Sequence, residues 1–201
     1  MTNQENQNNN IISEEYRNAV ESYARERKNY TFHNKGNEHA KIILPLIFRN
    51  AKREVRIAAQ NLWNQELVNT SEYIESAKSY LDKQNTTFHI IVTNFPKKEI
   101  EKALEINSFY KMLSQHPAYD EKRVIVKDSH GRSFKQNGNP VNFCTADGSM
   151  YRLEVDIQNR MALCNFNDPN ETAKMNTVFD RAWKELEGND VDLKQCFNNA
   201  K

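Results

Sequence analysis

The chain has 201 residues, 38% of them hydrophobic and 27% charged, and a formal net charge of +1. This is enough chain for one domain with a buried core. It excludes a global field drawing the protein to nucleic acid or anionic lipid, and no apolar run reaches the roughly 20 residues that cross a bilayer.

Residues 1–12 are rich in Asn and Gln and lack an apolar core. They are expected to be a disordered lead-in and not a secretory signal. A helix is expected over 13–30. Ser13 supplies a capping hydroxyl, and Glu14 and Glu15 face the positive end of the helix dipole. Tyr16, Ala19, Val20, Tyr23 and Ala24 form one apolar stripe at helical spacing, and Arg25, Arg27 and Lys28 close the helix with the favourable sign. The stripe is narrow, so it would pack on the domain or on a second copy of the chain. The domain itself is expected over 31–188, with a tail over 189–201.

Residues 31–37 read as a loop. Ala40, Ile43, Leu44, Ile47, Phe48 and Ala51 then fall on one helical face, with Pro45 inside the pattern predicting a kink or a late helix start. The segment 54–60 is strand-like, a helix is expected over 71–84, and 88–93 is a continuous apolar strand of the kind buried between helices. Pro96 suits the first turn of another helix running through Ile100, Ala103 and Leu104. Phe109, Met112 and Leu113 continue the helical character, and a strand follows over 123–127. Residues 129–139 are polar, contain Gly131 and Gly138, and read as a loop. Runs at 141–146, 151–156 and 160–166 read as consecutive strands joined by turns at Asp147-Gly148 and Gln158-Asn159. Asp168-Pro169-Asn170-Glu171 is a strong helix start, and Ala173, Val178, Phe179, Ala182, Trp183 and Leu186 are the expected inward face, ended by Gly188. The fold class expected is α/β: a mixed sheet with helices on both faces, then a β-meander and a closing helix.

The cysteines Cys144, Cys164 and Cys196 are odd in number and none stands in a C-x-x-C pair. Neither a disulfide framework nor a zinc site is expected. Cys144 and Cys164 lie in apolar runs, where a free cysteine acts as a small buried hydrophobe. The cytoplasm is the expected compartment, with no cofactor and no metal.

The stretches PVNFCTADG, YRLEVD, MALCNFNDP and VFDRAW, and upstream AKIILPLIFRNAKREVRIAAQNLW, together resemble the phospholipase D-like family over roughly residues 38–186. That family uses H-x-K-x4-D. A histidine nucleophile carries the phosphoryl group, a lysine holds the equatorial oxygens, and the acid precedes a hairpin Gly. Two copies of the motif make one site, so the resemblance implies that a single-copy chain dimerises. It places the acid on Asp147, the lysine position on Asn142 and the histidine position on Pro140. Proline is neither nucleophile nor proton carrier, so the resemblance implies a catalytically inactive half-unit, with Asp147 serving as a turn residue.

Two other stretches carry related residues. His39-Ala40-Lys41 spells H-x-K but opens a helix, with Leu46 at the acid position. His130-Gly131-Arg132 continues to Asn137 as H-x-R-x4-N, and a guanidinium can hold a phosphate in a fork. His130 and Arg132, together with Asp147, are therefore the candidates for residual chemistry. Arg49, Lys52, Arg53 and Arg56 form a basic cluster that reads as a solvated face or a nucleic-acid contact, with Tyr30, Phe32 and His33 available for stacking if they shared its surface. His33, His89 and His116 are scattered.

Three functions stay open at this level. The favoured one is an inactive phospholipase D-like module working through protein–protein contact or assembly, with a homodimer and an unidentified protein partner, as an accessory part of a larger bacterial system. The others are a divergent metal-independent phosphodiesterase or nuclease using His130 with Arg132, and a nucleic-acid binder using the basic cluster. No membrane association is expected.

Overall fold

The apolar runs around Ile90 and Val126 can leave neither face in water, and they form strands that are covered on both sides. The computed structural model describes residues 3–95 and 107–198. In chain order the elements are α1 (Asn3–Glu26), β1 (Phe32–Lys35), α2 (Gly36–Asn50), β2 (Glu54–Ala59), α3 (Gln65–Val68), α4 (Ser71–Leu81), β3 (Thr87–Val92), α5 (Ser108–Gln115), α6 (Pro117–Asp120) and β4 (Val124–Asp128). They continue with β5 (Lys135–Gln136), β6 (Asn139–Pro140), β7 (Asn142–Ala146), β8 (Met150–Asp156), β9 (Met161–Asn165), α7 (Pro169–Glu185) and α8 (Leu193–Asn198). The helix expected from Pro96 lies outside the described residues.

Among the described residues, seven strands form one mixed sheet in the order β1-β9-β8-β7-β2-β3-β4. The strands β2, β3 and β4 are parallel, while β7 runs antiparallel to β2 and leads the meander β7–β8–β9. Strand periodicity divides the side chains between two layers. Val55, Ile57, Phe88, Ile90, Val124 and Val126 point to the layer that holds α1, α2, α4 and α5. Ala58, Ile91, Phe143, Tyr151 and Leu153 point to α7, against Met175, Phe179 and Leu186. The mixed sheet with helices on both faces, the meander and the closing helix are as expected. Cys144 and Cys164 are both buried, and burial pushes the Cys144 thiol up to about 12.

Several local expectations change. Residues 31–37 are not a loop: β1 pairs with β9 as an edge strand, and α2 begins at Gly36. Four residues are too few for periodicity to reveal a strand. Because α2 starts ahead of Pro45, the late-start alternative is excluded. The proline removes only one interior N–H from a helix held by packing on α4 and α1. The start of α1 lies upstream of Ser13. The loop at 129–139 contains the short β5–β6 ribbon. On α7, Ala173 and Val178 are exposed, while Thr172 and Met175 take the buried stripe with Phe179.

Candidate functional site

The parallel strands end, and β7 begins, at the same end of the sheet. Ala58 pairs with Phe143, so Asn142 stands beside the end of β2, and Asn142 pairs in turn with Glu154 of β8. Asn142, Arg152 and Glu154 alternate with Phe143, Tyr151 and Leu153, and so point away from α7 into the layer of α2. There they form a chain of polar contacts. Asn142 Oδ1 accepts from the Gln60 N–H at 2.8 Å, and its Nδ2 donates to Glu154 Oε2 at 2.7 Å. Arg152 Nη2 donates to Glu154 Oε1 at 3.5 Å, and Arg152 Nε donates to Asn34 Oδ1 at 3.1 Å. Asn34 Nδ2 donates to the carbonyl of Ala162.

This chain of contacts borders a cavity of about 200 Å³. Its rim is polar, with Asn37, Asn61, Asn64 and Arg160, and its wall includes Leu44, Leu62 and Val68. Arg160 donates to Asn37 Oδ1, which also accepts from Asn64 Nδ2 at 2.9 Å. Arg152, which is buried, and Glu154, which is nearly so, form an ion pair, with side chains 7% and 13% exposed. His39, next to Ala40 of the cavity lining, stacks on Tyr16 at 3.9 Å and accepts from the Lys35 N–H. Burial, and secondly Arg152, hold the His39 pKa below its ordinary value.

Asp147 stands at the opposite end of β7. Its carboxylate accepts from the backbone N–H groups of Lys52, Arg53 and Glu54 at 2.7, 2.8 and 3.1 Å. It is the clasp between the β7–β8 turn and the start of β2. Its φ of 50° is left-handed, a conformation that Asp tolerates better than most residues.

His130 and Arg132 follow β4, at the cavity's end of the sheet. Three strand spacings separate β4 from β7, roughly 14 Å. His130 Nδ1 lies 2.9 Å from Asp128 Oδ2, and the His130 N–H donates to Asp128 Oδ1. Arg132 turns toward Glu185 of α7 at 3.9 Å. The two side chains thus address different partners.

The basic cluster is divided by the sheet. Arg56 lies on the α7 side, 3.0 Å from Glu54 and 3.5 Å from Asp180, with its guanidinium over the Phe179 ring. Arg49, at the end of α2, bonds Glu72 of α4 at 3.1 Å. Lys52 and Arg53 are exposed in the connection between them. Of the scattered histidines, His89 stacks on Trp183 at 4.5 Å and the buried His116 lies 3.2 Å from Asp82.

No protein-family model matches the chain, and no curated protein sequence matches it. Solved structures do. TrmBL2, an archaeal chromatin protein with a novel mode of DNA binding, aligns with a TM-score of 0.56 and 12% identity, over 94% of this chain and 67% of that one. Nuc from Salmonella typhimurium, a phospholipase D family member, aligns with a TM-score of 0.48 and 8% identity, over 81% of this chain and 96% of that one. Phosphatidylserine synthase from Haemophilus influenzae Rd KW20 gives 0.48 and 10%, over 80% of this chain and 38% of that one. At such identities the first likeness establishes a shared fold.

Sequence reasoning missed Asn34, Arg152 and Glu154. In YRLEVD the charged residues alternate with apolar ones, which is the pattern of a strand with one solvated face. The available signal was the second layer of helices: once both faces of a sheet are covered, its polar alternates must be buried with partners.

Proposed function

We propose that this chain is a non-catalytic phospholipase D-like module that acts by binding and assembly. The carrying observation is the state of the three positions that the resemblance assigns to the catalytic motif. Pro140, at the histidine position, lies in the exposed β5–β6 ribbon and has no group to attack phosphorus. Asn142, at the lysine position, has both ends of its amide bonded within the protein and brings no cation. Asp147 has its carboxylate committed to three backbone N–H groups. The partners in this reading are a second copy of the chain and a further protein.

The test is turnover. Purified protein is incubated with single- and double-stranded DNA, RNA and a generic phosphodiester in EDTA, beside His130→Ala. No cleavage in any reaction is expected. Cleavage that survives EDTA and vanishes in the variant would replace this reading with the second one, a divergent phosphodiesterase. The motive for that alternative is the Asp128–His130 pair, an arrangement in which a carboxylate can orient an imidazole for base or nucleophile work. Sedimentation at micromolar concentration tests assembly separately, with a dimer expected and a clean monomer counting against it.

Nucleic-acid binding is a third reading, motivated by the DNA-binding description that TrmBL2 carries. It would need Arg49, Lys52, Arg53 and Arg56 to act together, whereas Arg56 and Arg49 are tied to carboxylates in different layers. Binding that weakens with salt and falls when the four are replaced would support it.

A further inference from the structure

We infer that the cavity beside Arg152 binds a small aliphatic monocarboxylate. This rests on the reading of the chain as a binding module and names a ligand class for it. Three observations carry it.

The first is Arg152 itself. The residue is only 6% exposed, yet only two of its three guanidinium nitrogens are used: Nε on Asn34 and Nη2 on Glu154. Among the described residues, Nη1 makes no hydrogen bond, and the residue lines the cavity. A buried guanidinium held in place by two neighbours, with one edge open, is a preorganised anion donor.

The second is charge. The charged residues lining the cavity are Arg152, Arg160 and Glu154, two cations against one anion, which leaves one positive charge in excess. One negative charge on a ligand balances it. A phosphate monoester, with about −1.5 to −2 charges, would overshoot and face Glu154. The start of α2 adds to the same sign. Gly36 and Asn37 line the cavity, no side chain caps that helix, and its positive dipole end lies there.

The third is shape. A volume of about 200 Å³, walled in part by Leu44, Leu62, Leu67 and Val68, suits a short apolar tail behind a planar head group. The amides of Asn37, Asn64 and Asn142 at the rim are bonded to protein neighbours and serve as a fixed frame.

The probe is isovalerate, titrated calorimetrically into the full chain beside its neutral amide, isovaleramide, and inorganic phosphate. Saturable isovalerate binding is expected, with the amide weaker by about tenfold or more, the worth of one charge-assisted hydrogen bond. Arg152→Lys should abolish binding. Because that buried change also risks the fold, Arg160→Gln is the second variant, expected to weaken binding severalfold with unfolding unchanged. Glu154→Gln removes the opposing charge and should tighten binding severalfold, which damage to the fold would not do. No saturable isovalerate binding, equal binding of the amide, or phosphate binding in preference to isovalerate would each overturn the assignment. None of those results involves turnover, so phosphodiester cleavage alone would sink the module reading, and loss of isovalerate binding without cleavage would sink only the ligand.

Discussion

The two ends of β7 carry polar side chains, Asp147 and Asn142, at positions that the resemblance assigns to the motif, and use them in opposite ways. At the turn end, Asp147 gathers three N–H groups from the start of β2 and holds two segments of chain together. At the other end, Asn142 joins a network that includes a buried arginine with an open edge. At the first end the acceptor serves the fold, with three backbone N–H groups on one carboxylate. The second is organised by the fold and still has a donor to offer. A polar residue at a motif position therefore says little until its partners are counted.

The sharpest way to separate the two ends is to remove Asp147. Asp147→Ala should destabilise the protein by about 2–3 kcal/mol, from lost charge-assisted bonds and from an alanine forced to positive φ. Denaturant unfolding checks this, and Asp147→Asn, which keeps an acceptor and tolerates the left-handed backbone, should recover part of the loss. Isovalerate binding by the folded fraction should be unchanged. At the other end, Asn142→Ala should cost less, about 1–2 kcal/mol, for one backbone and one side-chain bond. It also frees Glu154 to lie against Arg152, so carboxylate binding should weaken in the same titration.

A smaller effect comes from the α7 side of the sheet. Burial, then the neighbouring Arg56, holds the His89 pKa below the ordinary imidazole value, opposed by Asp180, while Lys127 lowers it further. The unfolded chain therefore binds more protons than the folded one below about pH 6.5, and stability falls as pH falls through that point. His39 acts in the same direction. His89→Phe keeps a ring against Trp183 and should flatten the pH dependence of the unfolding midpoint between about pH 7 and pH 5. The smallest effect expected is His130→Ala, within about 1 kcal/mol of the parent: the ring is half exposed beside Asp128, and histidine and alanine both meet the strain of the left-handed φ of 51°.

The sheet and its helices were legible in the sequence because long apolar runs and caps are strong local signals. The capping box at Asp168 and Glu171 is an example: the Asp168 side chain does accept from the Glu171 N–H. The β1 strand was not legible, since its four residues gain their state from β9, some 130 residues on in sequence. The inward face of α7 was only partly legible, because Val178 and Met175 are both apolar and only the position of the sheet decides between them. The cavity was least legible. Arg152, Glu154, Asn142 and Asn34 come from three strands, and no spacing rule links them. Asp147 was identified as a turn residue, but its three backbone donors come from the far side of the chain.

The proposed non-catalytic role requires that no side chain serve as a phosphodiesterase nucleophile. Its most direct test is intact-mass spectrometry of the full chain after incubation with an activated phosphodiester, quenched in base so that a phosphohistidine survives. The expected spectrum is that of the unmodified protein at every time point. A phosphoryl adduct that maps to His130, and disappears in His130→Ala, would contradict the claim and make the loop after β4 a catalytic element.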